Sequence, residues 1–238
     1  LGIKIYWSHT VVDTHGYKRL KQISIMELSK DGQSFANSNK IVLDCDCLGI
    51  AGGWTPAVHL FTQSGGKLKF REEDQVFVPN LYPSKQISIG SCNGDFELDQ
   101  IIKNSSDTLK DFLEIDNTDY DNLDVKTTKE TSKKNIWLLP SDKVIGKTKP
   151  FVDYQNDATA KDIKLALREG FRSIEHVKRY TTTGMGTDQG KLGNMHALGI
   201  IADTTGVKMG EVGTTTFRPP YTPLTFGTIV GRNVGEYF

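Results

Sequence analysis

At Phe151 the hydrophobic spacing of this chain changes from short alternating runs to a helical period, and no other feature constrains the fold as much. Before it, Ile3 to Trp7, Thr10 to Asp13, Gln22 to Leu28 and Lys40 to Asp44 read as short strands. "DTHGYKRL" and "SKDGQS" supply the Gly and Asp punctuation of hairpin connections. After it, Thr159 stands three residues before Asp162 as a capping box, and Ile163, Ala166, Leu167 and Phe171 share one helical face that Gly170 closes. A second helix is expected from Ser173, with Ile174 and Val177 inward. Lys178 and Arg179 fall in its last turn, where cations suit the helix dipole. A third helix is expected from Asp188, with Leu192, Met195 and Gly199 on one side. The tail "GTTTFRPPYTPLTFG" is expected to be extended because its prolines bar helix, and the last residues, "TFGTIVGRNVGEYF", read as strand-like.

Two places in the first half join an apolar run to glycines and then to a helix. "CDCLGIAGGWTPAVHLF" predicts a buried strand running into Gly52 and Gly53 and then a helix opened by Pro56. "KQISIGSCNGDFELDQIIKNS" predicts a strand, a glycine step and a helix from about Asp95 to Lys103. Strand, glycine turn and helix is the local geometry that brings backbone N–H groups against a phosphate or a ribose. Between them and Phe151 lies a polar stretch with acidic residues first and basic ones after, expected to be a helix extension and a linker, with "IWLLP" as a packed strand.

Lys plus Arg and Asp plus Glu number 29 each among 238 residues, so no global field favours nucleic acid or an anionic membrane. No apolar run approaches the ~20 residues of a membrane span and no basic-then-apolar leader precedes Ile3, which predicts a soluble, cytoplasmic chain. Cys45, Cys47 and Cys92 are an odd count that predicts reduced thiols, and Cys-x-Cys alone is too sparse for structural zinc. His9, His15, His59, His176 and His196 show no metal-binding spacing, and no nucleophile elbow is present. Both ends of the text read as though cut from inside folded domains, so an internal piece of a longer protein is expected.

Three stretches in order, "CDCLGIAGGWTPAVHL", "FVDYQNDATAKDIKLALREGFRSIEHVKRYTTTGMGTDQGK" and "GTTTFRPPYTPLTFG", resemble the alpha subunits of heterotetrameric sarcosine oxidases. The resemblance implies an α/β chain: part of a two-dinucleotide-binding, flavin disulfide reductase-like fold, then a small helical domain. On that mapping 1–104 is the carboxyl part of the FAD/NAD(P)-binding two-lobe domain and 105–150 the polar linker. Residues 151–206 form the helical domain and 207–238 begin a folate-binding, aminomethyltransferase-like domain. The helical domain is similar in frame to a bacterioferritin-associated ferredoxin-like domain, whose four cysteine positions fall on Asp153, Gln155, Asp188 and Gly193. None of these is a thiolate, so an iron–sulfur cluster has no ligands here.

The resemblance also implies the cofactors. Flavin disulfide reductases carry Gly-Asp at the last glycine step, whereas Gly90 is followed here by Ser91. The family's corresponding site takes NAD, which a small polar residue suits, and this implies Gly52, Gly53, Trp54, Gly90, Ser91 and Asn93 as NAD contacts. The loop "YTTTGMGTDQGKLGN" combines freed backbone with nearby cations, a competent anion site. The family's FMN lies between alpha and beta subunits, so Lys178, Arg179, Thr181, Thr182, Thr183, Gly184 and Lys191 are implied at that flavin or at the subunit contact. The alternative is that these threonines and glycines only cap helices. FAD and zinc are implied in partner subunits, tetrahydrofolate in the folate domain, and the beta, gamma and delta subunits with the rest of the alpha chain as partners. The implied function is nucleotide binding and subunit contact within a complex that oxidatively demethylates sarcosine to glycine, with no complete active site in this chain. A non-catalytic assembly or electron-transfer module, or a subunit of a related opine or proline dehydrogenase, are the competing readings.

Overall fold

The computed structural model describes residues 2–115, 135–141, 148–219 and 222–237. They divide into two compact units, one of Leu1–Gly53 with Ile136–Lys149 and one of Trp54–Asn135 with Pro150–Phe238.

The first unit is built on an antiparallel sheet of β1 (His9–Gly16), β2 (Leu20–Glu27) and β3 (Ile41–Asp44), with β2 in the middle. The central strand buries Ile23, Ser24, Ile25 and Met26 in succession, so both of its faces are covered. The "SKDGQS" turn closes on itself: Ser29 Oγ donates to Asp31 Oδ1 at 2.6 Å, and Gly32 takes a φ of +71°. Ile136 lies directly against Gly32, where a Cβ would collide with it. "IWLLP" therefore packs as expected, but as bends and not as a strand.

Two further expectations for this unit fail. Ile3 to Trp7 forms no strand; Ile3, Ile5 and Trp7 are all exposed, and the ladder begins with His9 opposite Glu27. An alternating pattern makes a strand only where a neighbour supplies hydrogen bonds. The buried strand expected to run into Gly52 is also absent: β3 ends at Asp44, no regular element follows in 45–53, and Ile50 is exposed.

The second unit starts with the five-residue α1 (His59–Gln63), three residues later than Pro56 suggested, followed by the antiparallel hairpin of β4 (Lys67–Arg71) and β5 (Val76–Leu81). A 3₁₀ turn at Gly90–Asn93 precedes α2 (Leu98–Leu113). Ile89 is extended but has no ladder partner among the described residues, so the expected strand before this glycine step is not formed. Gly94, in the left-handed conformation, delays the helix to Leu98; the helix then runs past Lys103 and across the expected boundary at 104. Much of the expected polar linker, 116–134 and 142–147, lies outside the described residues.

The helical core of this unit follows a two-strand hairpin, β6 (Phe151–Asp153) and β7 (Ala158–Thr159), and consists of α3 (Ala160–Arg168), α4 (Ile174–Thr181) and α5 (Asn194–Thr205). The capping box is present: the Thr159 amide donates to Asp162 Oδ2 at 2.8 Å. Ala160, Ile163 and Ala166 are completely buried, and α3 packs on both α4 and α5. The third helix begins at Asn194 and not at Asp188, and Leu192 is exposed. α5 is buried on all sides from Ala197 to Ala202, so no single apolar face marks its start. α6 (Met209–Val212) is one turn. The tail does not continue as strand either. Thr225 caps α7 (Phe226–Val230) by accepting the Thr228 amide, and a 3₁₀ segment, Arg232–Tyr237, follows. Residues 220 and 221 lie outside the described residues.

Candidate functional site

The loop after α4 is tied down from outside itself. Thr182 ends the helix in the left-handed conformation, and Thr181 Oγ1, bonded to the Val177 carbonyl at 2.8 Å, meets Thr183 Oγ1 at 2.7 Å. Gly184, with a φ of +71°, donates its amide to Asp153 Oδ2 at 2.6 Å. The other oxygen of that buried carboxylate accepts the amides of Gln155 and Asn156, each at 2.9 Å. The Gln155 side chain then accepts the Asp188 amide at 3.2 Å and bonds the Thr187 hydroxyl, while Asp188 Oδ1 accepts the Gly190 amide at 3.0 Å. A Cβ on Gly186 would strike Gln155, one on Gly184 or Gly190 would strike Asn194, and one on Gly193 would strike the Val152 carbonyl. Asp153, Gln155, Asp188 and Gly193, far apart in sequence, thus meet at one place. The carboxylate that anchors the loop is the chain's own.

The cations around it differ in character. Lys178 is buried, and its ammonium reaches the Thr216 carbonyl at 3.4 Å. Burial holds it below the ordinary lysine value; Glu175 opposes that shift, and Arg218 and Arg179 add to it. Arg179 is exposed and turns back to Glu175, donating to its carbonyl at 3.0 Å. The charge of Lys191 reaches His59, a residue that sequence reasoning considered only as a metal ligand. His59 is buried, packs against Phe217 with tilted rings whose centroids are 3.8 Å apart, and is lowered to about 4 by burial first and Lys191 second, against a smaller opposing effect of Asp188. Its apolar flanks, "AVHLF", were the available signal. The loop also carries three exposed large side chains, Tyr180, Met185 and Leu192.

The glycine-step residues belong to different units. Gly52 and Gly53 end the first unit, and Trp54, highly exposed, opens the second. In the second unit Gly90 is buried with a φ of +65°, a conformation that calls for glycine, and Ser91 is exposed beside it. The turn is closed by the Asp95 amide on the Gly90 carbonyl and by Cys92 Sγ on the Ile89 carbonyl at 2.9 Å. Arg71 clamps it from the hairpin, donating to the Gly94 carbonyl at 2.7 Å while paired with Asp74. Among the described residues no group of three or more His, Cys, Asp or Glu is arranged to hold a metal ion, and no helix is long and apolar enough to cross a membrane.

Residues 147–232 match the family model described as the Sarcosine oxidase A3 domain. Over 94% of this chain, 36% of residues are identical to sarcosine oxidase subunit alpha of Rhizobium meliloti (strain 1021), of which 22% is covered. Over 99% of the chain, 32% are identical to sarcosine oxidase subunit alpha of Corynebacterium sp. (strain P-1), of which 25% is covered. The chain therefore spans between a fifth and a quarter of the length of these curated relatives. Its fold is similar to that in the crystal structure of L-proline dehydrogenase from P. horikoshii, with a TM-score of 0.58 and 19% identity over 93% of this chain and 44% of that one.

Proposed function

We propose, from the membership of residues 147–232 in the sarcosine oxidase A3 domain family and the homology of nearly the whole chain to sarcosine oxidase alpha subunits, that this chain is part of the alpha subunit of a multi-subunit oxidoreductase. In this reading the complex demethylates sarcosine to glycine with oxygen as acceptor and passes the one-carbon unit to tetrahydrofolate. Substrate oxidation belongs to another subunit, and this chain contributes nucleotide binding and subunit contact. The observation that carries the proposal is similarity at this level over almost the full length of the chain.

The nucleotide assigned to this chain is NAD, which when bound supplies the dinucleotide and its hydride-accepting ring. The turn Gly90–Asn93 suits it: a backbone position that favours glycine, an exposed serine where flavin disulfide reductases carry aspartate, and a clamp from Arg71. FMN is assigned to the boundary with the beta subunit, and FAD, zinc and the gamma and delta chains to the remainder of the complex. The loop residues fit a subunit contact better than a phosphate cradle. The Gly184 amide, the Thr181 and Thr183 hydroxyls and the Lys178 ammonium are engaged within the chain. Arg179, exposed though bonded to Glu175, and Lys191 are assigned to the flavin side, and the exposed Tyr180, Met185 and Leu192 to the partner. The meeting of Asp153, Gln155, Asp188 and Gly193 supports reading this domain as a ferredoxin-like frame without its cluster.

The test is co-expression of the full-length alpha chain with the beta, gamma and delta chains. Leu192→Glu with Met185→Glu should reduce co-purifying beta subunit and its flavin, and heat should release NAD, identified by mass, from the wild type. Unchanged subunit composition and flavin content in the double variant, with no NAD released from the wild type, would sink the proposal.

A further inference from the structure

Thr215 to Arg218 has no ladder partner among the described residues, yet side chains of the helical core meet it group by group. Thr215 and Phe217 are buried while Thr216 and Arg218 are exposed, the alternation of an extended segment lying on a surface. Glu175 accepts the Thr216 amide at 2.8 Å, and Lys178 donates to the Thr216 carbonyl at 3.4 Å. Asn194 Nδ2 donates to Thr215 Oγ1 at 3.1 Å, Gln189 Oε1 accepts the Arg218 amide at 3.2 Å, and Phe217 packs against His59. Beneath this segment a small cavity separates α4 from α5, lined on its polar side by Lys178, Thr183, Asn194 and Thr215.

We propose that Thr215–Arg218 is a strap that gates the Lys178 amine. Closed, it supplies the Thr216 carbonyl to the ammonium; lifted, it opens the space between α4 and α5 and uncovers the amine. The physical basis is asymmetry of attachment. A strand in a sheet is held by its ladder, whereas each of these ties ends on a side chain that can rotate away. Lys178 has the corresponding two-way character: a long bond to one carbonyl, and burial that disfavours its charge as long as the strap is down. Glu175, Arg179 and Arg218 are the charged groups that act on it, and Glu175 also binds the strap, so lifting the strap changes the pairing of both. The inference stands on this geometry and does not require the sarcosine oxidase reading.

The experiment is acetylation of the full-length protein with a water-soluble amine reagent, followed site by site by mass spectrometry, with exposed Lys161 as internal reference. In the wild type Lys178 should react at least about tenfold more slowly than Lys161. Thr215→Val with Gln189→Ala removes two strap bonds and should accelerate Lys178 by about 30-fold, equivalent to about 2 kcal/mol at 1.4 kcal/mol per tenfold, while the α5 amides stay protected. Lys178 reacting as fast as Lys161 in the wild type overturns the proposal. So does faster exchange of the Thr216 and Arg218 amides in the variant with no change at Lys178. If the double variant does not fold, the wild type decides: Lys178 labelling that shares its opening equilibrium with the Thr216 amide supports the gate, and labelling that tracks the α5 amides refutes it.

Discussion

Replacing Asp153 by alanine removes one buried carboxylate and leaves three amide donors without their acceptor. Gln155 and Asn156 are exposed, so water takes over their amides at about 0.5–1 kcal/mol each. Gly184 is buried, and its stranded N–H costs about 1–3 kcal/mol. The sum is a loss of about 2–5 kcal/mol from the helical unit. Asparagine sharpens the test. Its amide oxygen can keep the Gln155 and Asn156 bonds, but its NH₂ then faces the Gly184 N–H donor to donor, so Asp153→Asn should recover only part of the loss. The assay is native-state hydrogen exchange of the α5 amides in the full-length protein, or its urea midpoint, which should fall by about 1–3 M at ordinary m-values. A loss below about 0.5 kcal/mol for alanine, or full wild-type stability for asparagine, would refute the claim that this carboxylate holds the loop.

Other consequences are open to measurement. His59 has a folded value of about 4 against 6.5 unfolded, so between those values the unfolded chain binds more protons and stability rises with pH. The contribution is complete above pH 6.5, is lost as pH falls through about 4, and reaches at most about 3 kcal/mol; a pH series of urea midpoints should show this slope and His59→Leu should remove it. Gly190 has a φ of +74° and no room for a Cβ beside Asn194, so Gly190→Ala should destabilise by about 2 kcal/mol or more in thermal unfolding. Ile163→Ala, at a completely buried position, should cost about 2–5 kcal/mol by the same measurement.

What the sequence disclosed was local chemistry. The Thr159–Asp162 capping box, the inward Ile174 and Val177, and the turn around Ser29 are each written within a few residues, and the structure forms them. The start of α5 was hidden because a helix buried all round has no polar face to mark its phase. Ile3 to Trp7 shows the converse: the alternation is there, but strand formation depends on a neighbour that local spacing cannot reveal. At the site, the sequence singled out the loop and the cations near it, with Asp153 and Gln155 read only as missing cysteines. Their role as acceptors for Gly184 and Asp188 spans more than thirty residues and leaves no local pattern. A last-turn lysine beside Arg179 carries no local sign of burial, yet Lys178 is buried, and the carbonyl its ammonium reaches lies about forty residues downstream.

The tie between Asp153 and Gly184 joins positions 31 residues apart, and that separation bears on the order of events in folding. Closing so long a loop loses chain entropy before the bond can form, whereas α3 and α4 each need only contacts within themselves and with each other. The helices are expected to set first and the glycine loop to dock late, after the transition state. A substitution at Asp153 should then leave the refolding rate nearly unchanged and place almost all of its effect on the unfolding rate, a φ-value near zero. The chain's own carboxylate would act as a kinetic latch, governing how long the folded unit lasts and not how quickly it forms.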